Sequence, residues 1–89
     1  MKSGKILIAD DDDLSRNNLA ESLTSYGHEV TAVADGQEAM DAFAEDKYDL
    51  VVPDLRMPHV DGLELLKFLK ELSPEIIVIM ITGYGTVDS

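Results

Sequence analysis

Two acidic features of the sequence have the makings of a reactive centre. Asp10, Asp11, Asp12 and Asp13 follow the apolar run "KILIA", and Asp54 follows "YDLVVP" and opens the stretch "DLRMPHVDG". Carboxylates gathered in one crevice repel and raise each other's pKa unless a cation neutralises them. An all-oxygen donor set without cysteine or a suitably spaced histidine suits a hard divalent ion. Mg²⁺ in particular takes one or two carboxylates and keeps several waters. Asp54 stands singly at the end of its apolar run, where a carboxylate can act as a nucleophile and form an acyl phosphate. Thr82, closing "EIIVIMIT", adds a hydroxyl.

These groups act together only if the chain brings its apolar runs side by side. "KILIA" (5–9) reads as a strand buried on both faces. "LSRNNLAESLTSYG" then sets Leu14, Leu19, Leu23 and Tyr26 as a helical stripe, with Asp12 or Asp13 as N-cap and Gly27 as the stop. "EVTAVA" (29–34) is a second strand, and Asp35 and Glu38 have capping-box spacing before Met40 and Phe43. "YDLVVP" (48–53) is a third strand. Asp61 and Glu64 open a third helix with Leu63, Leu66, Leu69 and Leu72 as its apolar face, and "EIIVIMIT" (75–82) is a fourth strand. Strands alternating with helices imply right-handed βαβ crossovers, hence an α/β doubly wound parallel sheet. In such a sheet all strands point their C-terminal ends at one edge, where ligands bind. The acid run, Asp54 and Thr82 therefore share a rim.

The segments "ILIADDDD", "VVPDLRMPHVDGLELLK" and "VIMITGYG" together resemble the receiver domain of two-component response regulators, most of all the nitrogen-regulator, enhancer-binding subgroup. The resemblance runs from about Lys5 to the last residue, and makes residues 1–89 the N-terminal portion of a single receiver domain. It implies a flavodoxin-like receiver fold, here incomplete, with about four strands and three helices in sheet order 2-1-3-4. It implies that Asp54 is the phosphoacceptor, taking a phosphoryl group from a sensor histidine kinase with Mg²⁺. Asp10 and Asp11 become the acidic pair because Arg16 then falls where the family commonly has an arginine; a shift by one to Asp12 is the alternative register. By the same analogy Asp11, Asp54 and the backbone carbonyl of Arg56 bind the metal directly, Asp10 acts mainly through water, and Thr82 bonds the phosphoryl group.

Two departures from the family pattern stand out. Pro53 precedes the acceptor, in a strand that wants a ladder N–H. The family also continues with a fourth helix, a fifth strand carrying a lysine at its end, and a fifth helix. The five lysines here, at positions 2, 5, 47, 67 and 70, include none at an expected strand end on the site's edge. Without a fifth strand, "IIVIMI" (76–81) becomes an unpaired apolar edge, so a homodimer or swapped assembly through that strand is expected.

Other readings are set aside on the residues themselves. A calcium loop starting at Asp10 puts Ser15 where glycine is required, and "GYGTVD" lacks the third glycine of a dinucleotide fingerprint. His28 and His59 read as a solvated turn residue and a loop residue. A metal-dependent phosphatase with an aspartate nucleophile wants a second Asp where Arg56 stands, so the chain is expected not to be an enzyme. A pseudo-receiver that folds but takes no phosphate is the other alternative.

The 89 residues make one domain at most, and the formal charge of −11 repels polyanions, which argues against direct contact with nucleic acid or an anionic membrane. No cysteine is available for disulfides, and no apolar run approaches a membrane span. The simplest location is the cytoplasm.

Overall fold

The computed structural model describes residues 4–54 and 60–81. In it β1 (Lys5–Ala9), α1 (Asp13–Ser25), β2 (Glu29–Val33), α2 (Gly36–Glu45), β3 (Leu50–Pro53), α3 (Gly62–Leu72) and β4 (Ile77–Val78) follow in order. The strands form one parallel sheet in the order β2-β1-β3-β4, with Ile8 opposite both Ala32 and Val52. Arg56 and Thr82 lie outside the described residues.

Strand alternation divides the apolar residues between two faces. Leu7, Ala9 and Val51 point to one side, where Ala39 and Phe43 of α2 and Leu65 and Leu69 of α3 cover them. Ile6, Ile8 and Val52 point to the other, against Leu19, Ala20 and Leu23 of α1. The second layer is thinner, and α1 buries no residue completely.

Each helix starts on an aspartate whose carboxylate accepts a backbone N–H three residues on. Asp12 takes the N–H of Ser15 at 2.8 Å, Asp35 that of Glu38 at 2.8 Å, and Asp61 that of Glu64 at 2.9 Å. Glu38 reaches back as a capping box requires, although it accepts from Ala34, one residue before the cap. α1 ends in a Schellman turn: His28 N–H bonds Leu23 O at 3.3 Å and Gly27 N–H bonds Thr24 O at 2.9 Å, with Gly27 at φ 93°. Glycine is needed there because a side chain would clash in the left-handed region.

Two apolar stripes differ from expectation. Leu14 and Tyr26 are 70% and 73% exposed. Leu14 sits five residues before Leu19, about 140° around the helix, and Tyr26 already belongs to the turn leaving it. In α3 the buried set is Gly62, Leu65 and Leu69, while Leu63 and Leu72 face solvent. Steps of three residues fall about 60° short of a full turn each time, so a row at that spacing drifts off the core face. His28 also differs: it is half-buried, and its Nδ1 accepts the Gly4 N–H at 3.0 Å.

The fourth strand is shorter than the apolar run that supplies it. β4 comprises Ile77–Val78, followed by an isolated bridge between Asp54 and Ile81. Pro53 explains the break. Its carbonyl accepts the Ile81 N–H at 3.0 Å, as the Val51 carbonyl accepts that of Ile79. In a parallel ladder a residue directs its N–H and C=O to the same neighbour, so position 53 should donate to the Ile79 carbonyl, and proline has no N–H to give. On its other side the register with Ala9 is undisturbed, and Asp54 N–H bonds Ala9 O at 2.8 Å. The distortion expected from Pro53 thus falls on the sheet edge and leaves the bond to β1 intact.

Candidate functional site

The sheet delivers Asp10 and Asp54 to one rim from adjacent strands. Asp10 directly follows β1, and its N–H extends the ladder to Val33 O of β2 at 3.1 Å. Asp54 directly follows β3 and is tied to Ala9. Both side chains are buried, at 3% and 5% exposure, whereas Asp11 is exposed. Carboxylate oxygens of Asp10, Asp11 and Asp54 all lie within 4.8 Å of one another.

Asp12 and Asp13 take other work. The Asp12 carboxylate caps α1 through Ser15, and its own N–H donates to Asp10 Oδ1 at 2.9 Å. Arg16 donates from Nη1 to the Asp10 carbonyl oxygen at 2.9 Å and from Nη2 to Asp13 Oδ1 at 2.5 Å. The geometry therefore gathers the register containing Asp10 and Asp11, and directs Asp12 away from it. In the sequence Arg16 served only to set that register; its bond to the Asp10 backbone is the part the sequence did not announce. The available signal was its place one helical turn after Asp13, where the two side chains are neighbours.

Burial pushes the Asp10 carboxyl above its ordinary range, and the nearby Asp54 and Asp11 push it the same way, opposed by the hydrogen bond from Asp12 N–H. A close set of carboxylates, two of them buried, is costly unless a cation joins it. Oxygen donors alone, converging from two strand ends and a turn, fit a hard divalent ion such as Mg²⁺. Lys5 sits at the opposite end of β1, where it pairs with Asp46 and with Glu29 at 3.6 Å. The Lys70 ammonium donates to the Ile76 carbonyl at 2.5 Å.

A doubly wound sheet with an acidic triad at its C-terminal edge defines a class of α/β modules with a carboxylate-rich site at the strand ends, and comparison with known proteins narrows it. The model of the response regulator receiver domain matches residues 6–89. The chain is 38% identical over 88 residues to sporulation initiation phosphotransferase F of Bacillus subtilis, covering 99% of this chain and 71% of that protein. It is 35% identical over 86 residues to the response regulator protein FleR of Pseudomonas aeruginosa, covering 97% of this chain and 18% of that one. Among solved structures, the response regulator TrrA from Thermotoga maritima in complex with Mg²⁺ and BeF superposes with a TM-score of 0.86 at 34% identity, over 96% of this chain and 72% of that one. A receiver domain from Clostridium thermocellum gives 0.85 at 32% identity, over 91% and 66%. The chain belongs to the receiver domain family of two-component response regulators.

Among the described residues no helix is long and apolar enough to cross a membrane.

Proposed function

We propose that this receiver accepts a phosphoryl group on Asp54 from a phosphohistidine of a sensor kinase, with Mg²⁺ held by Asp10, Asp11, Asp54 and the carbonyl of Arg56. The observation that carries this reading is the convergence of the three carboxylates within 4.8 Å. An Asp54 oxygen attacks phosphorus in line; the P–N bond to the donor imidazole breaks as the P–O bond forms, and the imidazole nitrogen keeps the electron pair. A bound divalent ion supplies charge neutralisation at the phosphoryl oxygens. Asp54 is aligned by its backbone tie to β1; Asp11 and Asp54 would hold the ion directly and Asp10 mainly through water, and Thr82 would donate its hydroxyl to the transferred group. The chain serves as a stoichiometric acceptor and not as a turnover enzyme.

Treatment with acetyl phosphate and Mg²⁺ tests this: a species about 80 Da heavier should form, and Asp54→Asn should abolish it. Mg²⁺ binding without any such adduct would favour the pseudo-receiver reading instead.

The setting is inferred on the same footing. The chain works in the cytoplasm within a longer regulator; one relative is the transcriptional regulatory protein ZraR of Klebsiella oxytoca, of which this chain spans 19%. Control of transcription through other segments is the output we infer, with no direct nucleic-acid or membrane contact by this one. Ile77 of β4 and Ile79 just beyond it are exposed, and we infer that two copies pair through residues 76–81. Light scattering should then return a dimer mass, lost in Ile79→Lys; a monomer across the concentration range would count against pairing.

A further inference from the structure

Asp10 and Asp54 reach the rim on the ends of their strands, but Asp11 lies in the turn between β1 and α1 and is the exposed member of the carboxylate set. The peptide units on either side of it are both held. The carbonyl oxygen of the unit joining Asp10 to Asp11 accepts from Arg16 Nη1 at 2.9 Å, and the N–H of the unit joining Asp11 to Asp12 donates to Asp10 Oδ1 at 2.9 Å. A peptide unit is planar, so holding its oxygen or its N–H restrains the direction in which the chain continues. With both units restrained, the φ and ψ of Asp11 are restrained too, and with them the direction of its side chain.

Arg16 reaches this turn from the first turn of α1. Its guanidinium spans two acceptors, the Asp10 carbonyl from Nη1 and Asp13 Oδ1 from Nη2 at 2.5 Å. The Arg16 side chain is 17% exposed and that of Asp13 is 84% exposed. The bond to Asp10 is therefore the sheltered prong of the fork, and a charged donor on a sheltered carbonyl makes a strong restraint.

We propose that Arg16 is a positioning residue for cation binding: by holding the Asp10 carbonyl it sets the path of the turn through Asp11, and so keeps the Asp11 carboxylate within reach of those of Asp10 and Asp54. This rests on the metal-binding reading above, through the carboxylates of Asp10, Asp11 and Asp54 alone. Arg16 offers no ligand, and its charge acts the other way. A guanidinium beside the site repels a divalent cation, so loss of the charge by itself would tighten Mg²⁺ binding, whereas loss of the restraint would weaken it. The sign of the change separates the two roles.

The test is a Mg²⁺ titration of the full chain followed by NMR, at a temperature where each variant is folded. Arg16→Ala should weaken Mg²⁺ binding by about tenfold, the scale on which supporting residues of a metal site act. Unchanged or tighter binding in Arg16→Ala would overturn the proposal. Leu19→Ala loosens α1 where it packs on Ile6, Ile8 and Val52, an apolar contact; it should lower the thermal midpoint and leave Mg²⁺ affinity unchanged. A loss there equal to that in Arg16→Ala would also overturn the proposal, by marking a general effect of destabilising α1. Should Arg16→Ala fail to fold, Arg16→Met keeps much of the apolar stem and removes the donors, and unchanged or tighter binding in that variant overturns the proposal equally. Wild type that binds no Mg²⁺ would sink this inference and the site reading together, a result distinct from wild type that binds alongside a variant that binds at least as well.

Discussion

The carboxylates of Asp10 and Asp54 are buried at the ends of neighbouring parallel strands, with oxygens within 4.8 Å of one another, close enough that Asp54 adds to the upward push of burial on Asp10. Their strands, β1 and β3, are the two central strands of the sheet, so the pair cannot drift apart to relieve its repulsion without breaking the bonds between them. The energy of the site is thus set by the fold, and it can be read out without any phosphodonor.

Without metal, the pH dependence of stability should carry the signature of Asp10. Its folded pKa lies above the ordinary 3.8 through burial first, with Asp54 and Asp11 adding to it. The folded state therefore binds that proton more tightly than the unfolded chain does. This favourable contribution is complete below 3.8 and declines as pH rises through the elevated folded value. Asp12, lowered by hydrogen bonds from Ser15, and Asp46, lowered by its bond from Lys5, act with the opposite sign: their contributions are present above 3.8 and are lost as pH falls through their depressed values. Asp10→Asn keeps the acceptor for Asp12 N–H and removes the charge. In chelator at neutral pH it should stabilise the protein by about 1 kcal/mol, and in Mg²⁺ it should lose that advantage, as thermal denaturation would report.

Arg16 should matter more to stability than its exposed partner Asp13. The guanidinium holds the buried Asp10 carbonyl, so Arg16→Ala should cost about 1–2 kcal/mol. Arg16→Lys should recover less than half of that, because an ammonium lacks the two-pronged fork. Asp13→Ala should cost below about 0.5 kcal/mol, as exposed ion pairs usually do. Urea denaturation with an unchanged slope checks all three.

The phase of α3 is open to a direct comparison. Leu65 is fully buried and Leu63 is 62% exposed. Leu65→Ala should cost about 2–5 kcal/mol through lost burial and the cavity left behind, and Leu63→Ala below about 0.5 kcal/mol. Equal losses would mean the helix is rotated from the orientation described.

Pro53→Ala should mend the ladder beside β4. The new N–H would face the Ile79 carbonyl, worth about 0.5–1.5 kcal/mol, while the freed unfolded chain gives back about 0.4–1 kcal/mol. Net stability should barely move. Hydrogen exchange should show the difference: protection of the Ile81 amide should rise, with the Asp54 amide unaffected.

The fold was legible because its signals are local and redundant. Continuous apolar runs marked buried parallel strands, and Asp-x-x-Glu spacings marked the starts of α2 and α3 at Asp35 and Asp61. The helix faces were read less well, since a row such as Leu63, Leu66, Leu69 and Leu72 satisfies the eye while drifting around a helix of 3.6 residues per turn. Sheet topology alone brought the acid run and Asp54 to one rim, and the resemblance at Arg16 favoured Asp10 and Asp11 within it. What becomes of the alternative, Asp12, is a three-dimensional fact: its carboxylate is taken up by the cap at Ser15. The close approach of Val60 to Gly36, where an added Cβ would lie 2.7 Å from the Val60 Cβ, left no trace in spacing, because it brings together segments distant in sequence. Arg56 and Thr82 rest on the family pattern, as both lie outside the described residues.

The missing donor at Pro53 also separates two properties that a continuous ladder would couple. The backbone of Asp54 is tied to β1 through Ala9, while the outermost segment is fastened to β3 by the Ile79 and Ile81 amides. Loosening or tightening that outer seam, by a neighbouring chain or a substitution, can therefore proceed while Asp54 keeps its anchorage to Ala9.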